Sequence, residues 1–144
     1  MMPGPTLTAA SLAVGQPMRA LERTLTVVTL AAYAGATWDW HRLHYDPEYA
    51  RARQLPGPVV DGQMFGALLA EALLDWLGPG AFIRKLGFRM KGMVFAGETV
   101  RCDGEVTAIH PAGDHDVLDV AQRITVGSRV AAEGTAEVRL PRSG

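Results

Sequence analysis

The chain has 144 residues, a length that suits one globular domain and is short for two. Hydrophobic residues make up 48% of it and charged residues 20%, which excludes a disordered chain and favours a domain with a buried core. The net charge of -1 gives no support for a role on nucleic acid or on an anionic membrane surface.

Residues 1–17 are rich in Pro, Gly, Ala, Ser and Thr, and predict a loose leader ahead of a single domain over residues 18–144. No basic residue precedes the apolar part of this leader, so we expect no secretory signal, and Thr24–Trp38 is too short to span a membrane. The single cysteine, Cys102, excludes an internal disulfide and fits the cytoplasm. It lies on the apolar face of a predicted strand, so we expect a buried, inert thiol.

The first elements in chain order are short. We predict a strand over Arg19–Thr26, a helix over Val27–Gly35 that Gly35 ends, and a helix over Pro47–Arg53. Thr26 and Asp46 precede the two helices and have the side chains that cap helix N-termini.

The clearest helix is predicted over Gly62–Leu77, with Asp61 as its N-cap and Gly78-Pro79-Gly80 as its stop. One four-residue-spaced row holds its polar side chains, and the other sides are apolar. This row comprises Gln63, Ala67, Glu71 and Asp75. Such a helix must be covered on most of its circumference.

Four segments after this helix alternate apolar and polar residues with a period of two, as half-buried strands do. They cover 82–91, 99–108, 118–126 and 129–140, and turn residues separate them at Phe95–Gly97, Pro111–Asp114 and Gly127-Ser128. We predict an α+β fold in which a long, curved antiparallel meander wraps the central helix.

Polar chemistry is concentrated in Thr37–Tyr45, which reads TWDWHRLHY. A carboxylate and an imidazole are the side chains that most often act as general base and general acid. Asp39 and His44 lie five residues apart, about 16 Å at full stretch, so they converge only where the chain turns. Two other interpretations remain open. In the first, Asp39 only caps a turn and His44 is a half-buried structural histidine. In the second, the four side chains ligate a metal; they are Asp39, His41, His44 and Asp46.

The stretch Tyr33–Pro47 resembles the hydratase motif of MaoC-like (R)-specific enoyl-CoA hydratases and 3-hydroxyacyl dehydratases. Asp39, His44, Asp46 and Pro47 match that motif. The resemblance implies a hot-dog fold, a long curved antiparallel sheet around one central helix. Departures occur at Trp38, where the family often has Gly, at His41-Arg42 in place of Asn-Pro, and at Asp61-Gly62 in place of His-Gly.

The resemblance implies a hydro-lyase of fatty acid or steroid metabolism. It would interconvert a 2-enoyl thioester, of CoA or of acyl-carrier protein, and the corresponding (3R)-3-hydroxyacyl thioester. Asp39 and His44 would activate the water, and the N–H of Gly62, with Gln63 as a second donor, would hold the thioester oxygen. The pocket candidates are Trp38, Trp40, His41 and Tyr45. No metal and no cofactor are expected, because CoA or phosphopantetheine arrives as part of the substrate.

The resemblance also implies assembly as a homodimer or higher oligomer, or with another MaoC-like chain. Asp75–Ile109 resembles the catalytic subunits of heteromeric steroid side-chain enoyl-CoA hydratases.

Two other functions stay open. A hot-dog thioesterase needs a carboxylate near the start of the central helix, where Asp61 and Glu71 are the candidates, and an acyl-CoA-binding subunit needs no catalytic pair. Arg42 either binds a CoA phosphate or faces solvent.

Overall fold

One five-stranded antiparallel sheet and one long helix form the core of the computed structural model, which describes residues 4–142. The helices are α1 (Val27–Thr37), α2 (Pro47–Ala52) and α3 (Gly62–Leu77). The strands are β1 (Leu21–Thr24), β2 (Phe82–Met90), β3 (Thr99–Ala112), β4 (His115–Val126) and β5 (Arg129–Pro141). The sheet packs β2, β3 and β4 against α3, which confirms the predicted arrangement of a sheet around a central helix.

The burial of α3 follows its sequence pattern. Leu69, Leu73 and Leu77 are fully buried, whereas the predicted polar row remains exposed or half-exposed. Gln122 on β4 donates a hydrogen bond to the Leu69 carbonyl at 3.2 Å, which ties the middle of the helix to the sheet. Asp61 caps the helix as predicted, because its carboxylate accepts the N–H of Gln63 at 2.9 Å.

The strand order is β1-β3-β4-β5-β2, which confirms the meander for the last three strands and corrects it for β2. Instead of pairing with β3, β2 pairs with β5, for example through Leu86 and Ala136. Residues 91–98 carry the chain from β2 past the start of α3, where the Val60 N–H donates to the Val94 carbonyl at 2.8 Å. Period-two alternation specifies which face of a strand is buried and leaves its neighbour open.

Helix α1 runs two residues past Gly35, the predicted end. Trp38 ends it instead, in the left-handed conformation with φ 59°, and its N–H donates to the Ala34 carbonyl. Thr26 caps the other end as predicted by accepting the Thr29 N–H at 3.1 Å. The helix therefore delivers Asp39 at its C-terminus.

The predicted loose leader is anchored along the part that the structure describes. Leu7 donates its N–H to the Leu77 carbonyl at 2.7 Å, and Gly15 donates its N–H to the Val106 carbonyl at 2.7 Å. Ala9 and Leu12 are buried. Apolar side chains spaced three residues apart gave this segment a face to bury, so "loose" is wrong for residues 4–17. Residues 1–3 lie outside the described range.

Cys102 is buried in β3, as its position on the apolar face predicted. Within residues 4–142, no helix is both long and apolar enough to cross a membrane.

Candidate functional site

Two backbone segments hold His44. A 3-10 turn over Arg42–His44 reverses the chain after α1, and the segment around Val59 runs beside it. The Val59 N–H donates to the Leu43 carbonyl at 3.0 Å, and the Val59 carbonyl lies 2.8 Å from Nδ1 of His44. A carbonyl only accepts, so Nδ1 carries the proton of the neutral ring, and Nε2 keeps a free lone pair.

This turn brings together the two groups that the sequence singled out. One carboxylate oxygen of Asp39, one ring nitrogen of His44 and one carboxylate oxygen of Asp61 lie within 4.8 Å of one another. Asp39 and His44 are half-buried, and Asp61 is 8% exposed. The five-residue separation is thus closed by an irregular loop, as expected.

The three groups face a narrow cleft. Its remaining walls come from one face of α1, namely Leu30, Tyr33 and Ala34. Burial, together with the negative charge of Asp61, raises the pKa of Tyr33. The Tyr33 hydroxyl therefore stays protonated at neutral pH and is available as a hydrogen-bond donor beside the carboxylates.

The start of α3 offers one free backbone donor to this region. Within residues 4–142, no acceptor lies against the Gly62 N–H, which belongs to the first turn and carries part of the positive end of the helix dipole. The Gln63 N–H is already bonded to Asp61, so the prediction that Gln63 supplies a second donor is wrong in this structure. An N-cap side chain accepts from the second or the third N–H of its helix, and Asp61 bonds the second, that of Gln63.

The predicted pocket residues lie outside the cleft. Trp38 is 80% exposed, and its ring meets that of Trp40 edge-on at 5.9 Å, as Trp40 meets Tyr45. His41 is exposed, and its Nδ1 accepts the Leu43 N–H at 3.1 Å. These side chains form an aromatic surface next to the loop, and the Trp40 ring lies against Gly35 of α1.

The structure changes the set of metal ligands that the sequence offered as an alternative. Asp46 caps α2 and accepts two hydrogen bonds from Arg42, at 2.8 and 3.0 Å, which holds the pKa of Asp46 below its usual value. Arg42 is therefore paired rather than free for a phosphate. Among the described residues, the donor set that lies within reach of one ion is Asp39, His44 and Asp61.

The sequence analysis missed three of the cleft residues, and for a hydratase it gave Asp61 no role beyond that of a helix cap. Leu30, Tyr33 and Ala34 lie at i, i+3 and i+4 of α1, the spacing of one helical face. Because α1 leads directly to Asp39, this spacing was the signal from which the cleft wall could have been identified. The proximity of Asp61 to His44 depends on tertiary packing.

The chain is similar in sequence to known proteins. A family model described as "MaoC like domain" matches residues 9–127. The chain is 33% identical to the (R)-specific enoyl-CoA hydratase of Aeromonas caviae over 94% of this chain and 100% of that protein. It is 31% identical to the 3-oxo-4,17-pregnadiene-20-carboxyl-CoA hydratase beta subunit of Mycobacterium tuberculosis over 72% of this chain and 78% of that one.

The solved structure of the (R)-hydratase from A. caviae involved in PHA biosynthesis superposes with a TM-score of 0.82. The match has 32% identity and covers 91% of this chain and 98% of that chain. The five-stranded sheet around α3 is therefore a hot-dog fold, and the chain belongs to the MaoC-like hydratase and dehydratase family.

Proposed function

We propose that the chain is a hydro-lyase that interconverts a 2-enoyl thioester and its (3R)-3-hydroxyacyl counterpart. The observation that carries this proposal is the convergence of Asp39 and His44 on one cleft. Nδ1 of His44 is bonded to the Val59 carbonyl, which leaves Nε2 as the nitrogen that accepts a proton. The Gly62 N–H, one residue beyond the third cleft side chain, is unpaired among the described residues.

The proposed reaction uses one water. Asp39 accepts a hydrogen bond from that water and orients it, and Nε2 of His44 removes a proton as the oxygen adds to C3. The negative charge that develops on the thioester oxygen is held by the Gly62 N–H at the positive end of α3. The imidazolium then returns its proton to C2, so that the elements of one water are added and His44 is restored.

We propose CoA as the thiol of the substrate, because the relatives reported above are named as CoA hydratases; an acyl-carrier-protein thioester remains the other source of the same group. We also propose that the reaction needs no metal or further cofactor, and that it takes place in the cytoplasm. The steps above use only a carboxylate, an imidazole and a backbone amide.

A thioesterase is the first rival, and the helix carboxylates argue against it. Glu71 is ion-paired with Arg23 at 2.7 Å on the exposed row of α3, away from the cleft. Asp61 uses one oxygen for the helix cap. The second rival is a non-catalytic acyl-CoA-binding subunit, and the presence of both Asp39 and His44 favours the catalytic half of any heteromer.

A two-channel assay of the purified chain separates these functions. Crotonyl-CoA loses the absorbance of its conjugated double bond when it is hydrated, whereas a thiol reagent detects CoA only when the thioester is cleaved. We expect loss of the enoyl absorbance without free thiol. Free CoA would favour the thioesterase, and no change in either channel until a second MaoC-like chain is added would favour a subunit role.

The same assay tests the metal. We expect unchanged turnover after dialysis against a strong chelator. Loss of activity that returns with added zinc or manganese would assign Asp39, His44 and Asp61 to a metal site instead.

A further inference from the structure

Two side chains of β2 pack onto two glycines of α3. A Cβ atom built on Gly66 would lie 2.6 Å from Cε1 of Phe88, and one built on Gly62 would overlap the sulfur of Met90. Gly62 and Gly66 are one helical turn apart on the same face of α3, and Phe88 and Met90 share one face of β2. The first turn of α3 is therefore notched on the side that faces β2, and Met90 fills the notch at Gly62.

Met90 thus lies beside the residue that carries the unpaired amide. Its sulfur lies against Gly62, yet the side chain is 59% exposed, because β2 is the outermost strand of the sheet. An unbranched methionine changes its rotamer at little cost and adapts its shape to a neighbour. Phe88, by contrast, is wedged between Gly66 and the backbone of β5 at Gly134.

The cleft itself is too small for most acyl groups. A sphere the size of one water molecule does not fit inside it. A thioester whose C3 reaches the Asp39–His44 pair and whose oxygen reaches Gly62 must extend the rest of its acyl group out of the cleft. On the side of α3, the cleft wall ends at Asp61. Met90 lies beside the following residue, Gly62.

We propose that Met90 determines the acyl size that the enzyme accepts, by bounding the space beside the Gly62 N–H. This inference rests on the proposed hydratase function. Met90 is not a catalytic residue, because it bears no group that moves a proton or holds the thioester oxygen. It acts through the volume that it fills.

The test is a chain-length profile with a matched control. Met93 is of the same type and 57% exposed, and it follows Met90 by three residues, but the atoms nearest to a Cβ on Gly62 belong to Met90 rather than to Met93. We would measure kcat/KM for trans-2-enoyl-CoA substrates from four to ten carbons with the wild type, Met90→Ala, Met90→Phe and Met93→Ala.

We expect Met90→Ala to raise the ratio of kcat/KM for the ten-carbon over the four-carbon substrate at least about tenfold, the scale of a few methylenes in an apolar pocket. Met90→Phe should lower that ratio, and Met93→Ala should leave it within about twofold, an allowance set by the same scale. An unchanged ratio in both Met90 variants, or an equal change in Met93→Ala, would overturn the proposal. A wild type that hydrates no enoyl-CoA would instead overturn the function on which it rests.

The contact itself is tested without activity. Gly62→Ala should change the melting temperature differently in the wild-type and Met90→Ala backgrounds, because the new methyl group displaces the Met90 side chain only where that side chain is present. The substitution should be less favourable in the wild type than in Met90→Ala. Equal changes in the two backgrounds would show that Met90 does not occupy the notch, and would overturn the proposal even if the chain-length profile changed.

Discussion

The orientation of His44 is set by the backbone of Val59, which bonds two neighbouring residues of the turn, with its N–H to the Leu43 carbonyl and its carbonyl to Nδ1 of His44. Asp61 serves two purposes, since it caps α3 and places a buried carboxylate beside Asp39 and His44. The geometry of the candidate site and the start of α3 are thus coupled through Asp61.

The two roles of Asp61 are separable by substitution. Asn caps helices about as well as Asp, so Asp61→Asn should retain the free energy of unfolding to within about 0.5 kcal/mol. Asp61→Ala should lose about 1 kcal/mol, because the Gln63 N–H is left without its acceptor. Urea denaturation measures both. Equal destabilisation by the two variants would show that the charge in the cluster, rather than the cap, stabilises the fold.

Cys102 provides a residue-scale check on the core. Burial raises the pKa of its thiol to about 12. Deprotonation is therefore unfavourable in the folded state, and only about one thiol in ten thousand is a thiolate at pH 8. We predict no reaction of the native protein with a disulfide reagent at pH 8, and one equivalent consumed in urea. Rapid reaction of the folded protein would contradict the buried position.

At the scale of elements, the close pairing of β3 and β4 requires a glycine. A Cβ on Gly104 would overlap the carbonyl oxygen of Ala121, which is backbone and does not move aside. Gly87 on β2 has open space where its Cβ would lie. We predict that Gly104→Ala costs about 2 kcal/mol or more, whereas Gly87→Ala is neutral or slightly stabilising. Chemical denaturation compares the two, and equal effects would be inconsistent with the packing described.

Sequence patterns predicted where the helices and strands lie better than they predicted which strands pair with each other. Alternation located β2 to β5, and the apolar circumference of α3 predicted a helix covered by a sheet. The pairing of β2 with β5 was missed, because alternation carries no information about which strand lies alongside. The end of α1 was misplaced because Gly35 is a good helix terminator, yet Trp38 takes the left-handed conformation instead.

The site was predictable in part. The Asp39–His44 pair follows from the motif, whereas the bond of the Asp61 cap to the Gln63 N–H rather than to the Met64 N–H required the structure. The exposure of the aromatic residues after α1 was not predictable, since a Trp next to a catalytic loop packs equally well into a pocket. The seating of Met90 on Gly62 joins residues 28 positions apart and requires the tertiary structure.

At the scale of the whole molecule, β2 is an unprotected edge. It lies at one end of the sheet, and its exposed side chains include Phe82 and Met90. An edge of this kind pairs readily with another strand. We predict a dimer or a multiple of it, with a mass by light scattering of about twice the 15.4 kDa of one chain. A stable, active monomer at micromolar concentration would contradict this prediction.

The central claim is that Asp39 and His44 act together on one water, and the most direct test is the hydration rate of crotonyl-CoA by three variants. Asp39→Asn and His44→Ala should each lower kcat at least about a hundredfold, the scale of lost acid–base catalysis, with melting temperatures close to that of the wild type. His41→Ala, three residues from His44 and outside the cleft, should retain most of the activity. Near-normal turnover in Asp39→Asn or His44→Ala would contradict the account.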